Sequence, residues 1–176
     1  PDLNRINAHV KQKPIAVAAG QRAGGVALIR CDGGGTFGYG HVKRMVSLAR
    51  ALRDREGIGA VFALNGTEDA AAPIRRAGFQ VTMLHGVSDL ETLVDTVNPD
   101  LLLLDGREGP NRAELEKLNR GIAVTAVIDD GSERRLAADY AYYPPVPQAH
   151  ALDWAGANTL PRVGWEWTLT GLNPNA

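Results

Sequence analysis

Five short apolar runs recur along the chain: "VALIRC" (26–31), "AVFALN" (60–65), "QVTML" (80–84), "DLLLLD" (100–105) and "AVTAVID" (123–129). Runs of this length, rich in branched residues and followed by turn chemistry, predict strands buried on both faces. The segments between them change period. Over 41–55, Val42, Met45, Val46, Ala49 and Leu52 share one helical stripe while Lys43, Arg44, Arg50 and Arg53 lie off it, the pattern of a helix laid on a sheet. Similar stripes predict helices near 68–77, 88–97 and 111–120, with Ser88 and Asn111 as N-caps. Alternation of this kind predicts an α/β fold with a doubly wound, mostly parallel sheet whose first strand is central.

Outside this region the rhythm weakens. After Asp130, "DYAYYPPVP" and "RVGWEW" read as short strands or loops. The first 22 residues carry Arg5, Lys11, Lys13 and Arg22 against Asp2 with little periodicity, which predicts a linker or arm ahead of one domain over 23–176.

Composition narrows the function classes. The chain has 176 residues, 44% of them hydrophobic and 22% charged, with a net charge of −1, enough length for one buried core. That charge balance leaves no basic footprint for nucleic acid. Cys31 is the only cysteine, which excludes an internal disulfide and fits a reduced, cytoplasmic setting. "IAVAA" (15–19) is too short for a signal sequence, and no apolar run approaches the roughly 20 residues that cross a bilayer. Neither H-x-x-x-H nor C-x-x-C spacing occurs, so no metal is expected.

In an open parallel sheet, ligands gather beyond the carboxyl ends of the strands. The residues expected there are Asp32, Asn65, His85, Asp105 and the pair Asp129 and Asp130. Ordinary helix caps and turns use the same residue types. The first strand runs into "DGGGTFGYGH" (32–41), with five glycines between Gly33 and Gly40. Gly33, Gly35 and Gly38 match G-x-G-x-x-G between a strand and a helix, which raises the alternative of a nicotinamide-binding oxidoreductase. The acid that such a site needs after the second strand is replaced by Asn65, and the absence of G-K-[ST] excludes a Walker phosphate loop. The loop delivers His41 to the first turn of a helix. The partial positive charge there disfavours imidazolium, leaving a ring that accepts a proton. His41 is thus either a general base or a residue that packs at the helix start.

The run Arg30, Asp32, Gly38, Gly40, His41, Arg44 and Leu48, read as "R-x-D…G-x-G-H-x-x-R…L-A", resembles the start of the UDP-sugar hydrolases of the pseudaminic acid pathway (PseG) and the related SpsG-like polysaccharide biosynthesis proteins. "VIDDG" (127–131) and "GWEW" (164–167) extend the likeness across roughly 25–167, although "GREGP" follows Asp105 where the family carries a histidine and a tyrosine. The resemblance implies the N-terminal half of a two-lobed glycosyltransferase-B architecture, with most of the UDP held by a C-terminal nucleotide-binding lobe beyond this chain. It implies hydrolysis of a UDP-linked amino-deoxy sugar without cofactor, by water attack at the anomeric carbon. His41 would then be the base, and Asp32, Gly38, Tyr39, Gly40, Arg44, Asp105 and Asp130 would line the substrate side. A glycosyltransferase-like relative or a non-catalytic sugar-binding lobe is the alternative within the same fold.

Overall fold

The computed structural model describes residues 24–168; the arm expected over 1–22 lies outside them, as do residues 169–176. All five apolar runs form strands: β1 (Val26–Gly33), β2 (Gly59–Gly66), β3 (Gln80–Met83), β4 (Leu101–Asp105) and β5 (Val124–Ile128). The late segments add β6 (Tyr140–Tyr143) and β7 (Leu160–Val163). Among the described residues the sheet is entirely parallel, in the order β3-β2-β1-β4-β5-β6-β7. The first strand is interior, as expected, and the chain reverses its direction of travel across the sheet between β1 and β4. This is a Rossmann-like, doubly wound fold.

The helices are α1 (Gly40–Glu56), α2 (Glu68–Arg76), α3 (Val87–Val97), α4 (Arg112–Leu118) and the single turn α5 (Pro147–His150). The predicted stripe of α1, Val42 to Leu52, is buried in full. It packs with Ala70 and Ile74 of α2 on the sheet face built from Ala27, Ile29, Leu101 and Leu103. The opposite face, with Leu28, Leu102 and Leu104, is covered by Leu90 of α3 and by Leu115 and Leu118 of α4. Two covered faces explain why β1 and β4 read as unbroken apolar runs rather than alternating ones.

Two boundaries differ from expectation. Asn111 caps α4 through a reciprocal capping box with Glu114, at 3.0 and 2.7 Å, as predicted. Ser88, in contrast, is not the cap of α3. The helix starts one residue earlier behind Gly86, and the first-turn acid Asp89 folds back to accept the His85 N–H at 2.7 Å, which draws the chain into the helix ahead of Ser88. The segment predicted as helix to 120 leaves the α conformation after Leu118 and closes in a short 3-10 turn. There the Asn119 side chain turns inward, donating to Ala137 O at 2.6 Å and accepting from Thr125 Oγ1 at 2.7 Å.

Among the described residues, no helix is long and apolar enough to cross a membrane.

Candidate functional site

Strand alternation sorts the polar residues at the β1–β4 crossover onto two faces. Cys31 pairs with Asp105 in the β1–β4 register. Asp105 continues the Leu101–Leu103 row and so faces α1, whereas Arg30 and Asp32 continue the row of Leu28 and face α3 and α4.

On the α1 face, Asp105 is fully buried and collects two side chains from the first turns of α1. Its Oδ1 lies 2.8 Å from His41 Nδ1, and its Oδ2 accepts from Arg44 Nε at 2.8 Å. Arg44 Nη2 adds a second bond to Oδ1, making the arginine–carboxylate contact bidentate. Arg44 Nη2 also approaches His41 Nδ1 to 3.4 Å. Nδ1 cannot both accept from the guanidinium and donate to the carboxylate, and the shorter contact places its proton toward Asp105. In the neutral ring that tautomer leaves the lone pair on Nε2. His41 and Arg44 keep 19% and 21% of their side-chain surface exposed, against none for Asp105. A buried carboxylate therefore orients a partly open imidazole, an arrangement suited to taking a proton from a bound hydroxyl or water. Burial opposes the charge on Arg44. The hydrogen bonds to Asp105 and the negative charges of Asp105 and Asp129 outweigh that and hold the guanidinium above its ordinary value.

The glycines leading to His41 divide into two kinds. Gly33 and Gly34 are places of close approach: a Cβ would lie 2.5 Å from Val42 Cγ2 at Gly33 and 1.8 Å from Thr67 Oγ1 at Gly34. Gly34 N–H also bonds Gly38 O at 2.7 Å, closing the loop on itself around a 3-10 turn. Gly38 has φ 68°, while Gly40 has no neighbour within 4 Å of a Cβ position. The space beside Gly40 is thus left open at the start of α1. Tyr39 turns away from the dyad, its hydroxyl donating to Asp69 of α2, and so tethers the loop to the neighbouring helix.

Asp32 and Asp130 are engaged within the protein. Asp32, fully buried, pairs with Arg30 Nη2 at 2.8 Å and accepts from Asn65 Nδ2 at 3.0 Å through Oδ1, while Oδ2 takes the N–H groups of Arg107 and Glu108 at 2.6 and 3.1 Å. It fixes the loop after β4, the "GREGP" segment. Asp130 pairs with buried Arg134 and accepts from Ser132 N–H at 2.7 Å. Arg134 in turn donates to Gly106 O. The structure thus brings His41, Arg44 and Asp105 together, and places Asp32 and Asp130 in networks that hold the loops around them.

Asp129, the other member of the acid pair, is exposed and adopts a left-handed φ of 54° at the end of β5. It is the member whose charge acts on Arg44. Adjacent residues in an extended strand point to opposite sides, but only the backbone turn after Ile128 decides which acid is exposed.

No protein-family model matches the chain, and no curated protein matches its sequence. Among solved structures, the UDP-GlcNAc 2-epimerase from Neisseria meningitidis, bound to UDP-GlcNAc, is similar with a TM-score of 0.53 and 11% identity. The match covers 72% of this chain and 42% of that one. The glycotransferase of kitacinnamycin follows with a TM-score of 0.36 and 16% identity over 59% of this chain and 30% of its own. The signal recognition particle receptor FtsY from Elizabethkingia anophelis, in complex with GDP, gives a TM-score of 0.38 and 13% identity over 97% and 66%. The last two scores are too low to carry an argument. The first shows a shared fold, of the glycosyltransferase-B type, and the chain spans less than half the length of that epimerase.

Proposed function

We propose that the chain is the N-terminal lobe of a nucleotide-sugar hydrolase that separates UDP from an amino-deoxy sugar, with His41 as general base. The observation that carries this reading is the His41–Asp105 contact of 2.8 Å at the carboxyl end of β4, beside the crossover where open α/β sheets bind their ligands. The resemblance of the "R-x-D…G-x-G-H-x-x-R" run to the PseG and SpsG-like proteins supports it, as does the fold shared with an enzyme solved with a UDP-sugar.

In the reaction, water sits against His41 Nε2. Its oxygen forms a bond to the anomeric carbon while Nε2 takes the proton; the bond from that carbon to the diphosphate oxygen breaks, and UDP leaves with the electron pair. Asp105 stabilises the imidazolium so formed and holds the ring in the tautomer that exposes Nε2. Arg44 locks Asp105 by donating to both of its oxygens. The open position at Gly40 lets the sugar approach the start of α1. A second, C-terminal lobe would hold the nucleotide and close the cleft against bulk water.

Hydrolysis of a UDP-sugar by the full-length polypeptide in water enriched in oxygen-18 tests the reading. The label is expected in the released sugar; label in the phosphate of UDP would refute attack at the anomeric carbon, and absence of hydrolysis across UDP-linked amino-deoxy sugars would refute the activity.

A further inference from the structure

Asp129 follows β5 directly, beside the strand that ends in Asp105. The β4–β5 register pairs Leu104 with Val127, so Asp105 stands level with Ile128 and Asp129 lies one residue further along the adjacent strand. Neighbouring strands run about 4.8 Å apart, and each residue advances the chain by about 3.3 Å. Asp129 is thus a near neighbour of the buried Asp105 at the carboxyl edge of the sheet.

Its backbone is held in the left-handed region, at φ 54°. Among the described residues the other non-glycine with positive φ is Asn98, where the conformation closes a helix: Asn98 follows α3 and donates its N–H to Val94 O at 2.8 Å. Asp129 closes no helix. An aspartate often enters this region by bonding its side chain to nearby backbone, yet the Asp129 carboxylate has no hydrogen-bond or ion-pair partner among the described residues. The turn is imposed from outside instead. Asp129 N–H donates to Tyr142 O at 2.9 Å, Tyr143 Oη donates to Asp130 O at 2.6 Å, and the Asp130 carboxylate is taken up by Ser132 N–H and Arg134. A strained conformation that its surroundings over-determine is a pattern found at functional sites.

The charges at this edge do not cancel. Arg44 donates to both oxygens of Asp105, which neutralises that pair. Asp129 is exposed, and its charge reaches Arg44 and helps to hold the guanidinium above its ordinary value. One negative charge is therefore left over, on an acceptor open to solvent beside the His41–Asp105 contact.

We propose that Asp129 determines which sugar the site accepts: its carboxylate takes a hydrogen bond from a hydroxyl or amide N–H on the sugar ring, and its charge turns away sugars that carry a carboxylate of their own. The inference rests on the hydrolase reading, which brings the sugar to this edge against His41. An ionised carboxylate only accepts hydrogen bonds, so a donor on the sugar gains a charge-assisted bond there. An anionic sugar gains no such bond and meets a like charge. Asp129 acts on binding, because the proton transfer and the breaking bond belong to His41 and the anomeric carbon.

The test compares full-length wild type, Asp129→Asn and Asp129→Gly on the UDP-linked amino-deoxy sugar that wild type hydrolyses fastest, with UDP-glucuronic acid as competitor. Asn and Gly both tolerate φ 54°, so a mere turn residue would be replaced silently. Both variants are expected to melt at or above the wild-type temperature. KM should rise about 10-fold or more, the scale of losing a hydrogen bond to a charged group, with kcat within about 3-fold. Inhibition by UDP-glucuronic acid should tighten by about 3-fold or more as the like charge is removed. Unchanged KM and unchanged inhibition would overturn the proposal and leave the hydrolase reading standing. A lowered melting temperature in both variants would show that the carboxylate holds the turn, and would overturn it too. A wild type that hydrolyses none of these sugars would overturn the hydrolase reading and this inference together.

Discussion

His41 Nδ1 and Asp105 Oδ1 stand 2.8 Å apart across 64 residues of sequence, one at the start of a helix and the other at the end of a buried strand. The pair joins the glycine loop to the centre of the sheet, so loop position and imidazole orientation are set together.

Replacing His41 by Asn should preserve the fold, because the position lies in the first turn of α1 and the Asn amide can still donate to Asp105. If the proposed hydrolase reading holds, kcat should fall by roughly 10²- to 10⁴-fold, the usual contribution of a general base, with KM little changed. A variant that keeps wild-type kcat in steady-state assays would reduce His41 to a structural residue.

Asp105→Asn should cost both stability and activity. It leaves Arg44 half-buried without its carboxylate, a loss of about 2–3 kcal/mol in denaturant unfolding, below the usual buried-pair figure because Arg44 is partly solvated. It also frees the ring to adopt the wrong tautomer. Activity that falls no further than the loss of folded protein explains would remove Asp105 from the mechanism.

The two kinds of glycine should separate experimentally. Gly34→Ala forces a side chain at φ 75° into Thr67 Oγ1 and should destabilise by about 1–3 kcal/mol. Gly40→Ala meets nothing within 4 Å and should fold as wild type while raising KM. Thermal melts paired with kinetics distinguish the two, and a Gly40→Ala enzyme with unaltered KM would show that no substrate approaches there.

Stability should decline in alkali. Burial, with the charges of nearby aspartates, raises the Cys31 thiol and the Tyr143 phenol above their ordinary values of 9.0 and 10.0. Both groups therefore stay protonated in the folded state after the unfolded chain has begun to lose those protons. Their contribution is complete below pH 9 and is lost as pH rises through and beyond these values. Urea midpoints measured from pH 8 to 11 should fall for wild type and fall less for Cys31→Ala and Tyr143→Phe. In the native protein Cys31 should resist thiol reagents at pH 8; rapid labelling would contradict its burial.

The chain without a nucleotide-holding lobe should show no useful turnover of UDP-sugars, since both water exclusion and nucleotide positioning would be missing. Robust activity of the purified chain would place the whole site within it.

The apolar runs by themselves determined β1 to β5 of the sheet; β6 and β7, in the segment where the rhythm weakens, came only with the folded structure. A strand such as Leu101–Leu104, too apolar to face water on either side, requires helices above and below, and the helical stripe from Val42 to Leu52 supplies one of them. Short parallel strands with helical crossovers then leave little choice of architecture. His41 was placed at a helix start by local pattern and Arg44 entered the site only through the resemblance; their spacing of three residues puts them on one side of α1. Tertiary structure alone decided their partner. Asp105, Asp32 and Asp130 look alike in sequence, each an acid at or near a strand end, and the difference lies in strand parity and in the loops that reach them. Asp105 falls on the α1 face, where two side chains from that helix arrive. Asp32 falls on the other face and is consumed by Arg30, Asn65 and two loop amides, while Asp130 meets Arg134 and Asp129 is left exposed, near enough to Arg44 for its charge to act there. No local pattern encodes these outcomes, because each depends on which groups, distant in the chain, are close enough in the folded sheet to satisfy a buried charge.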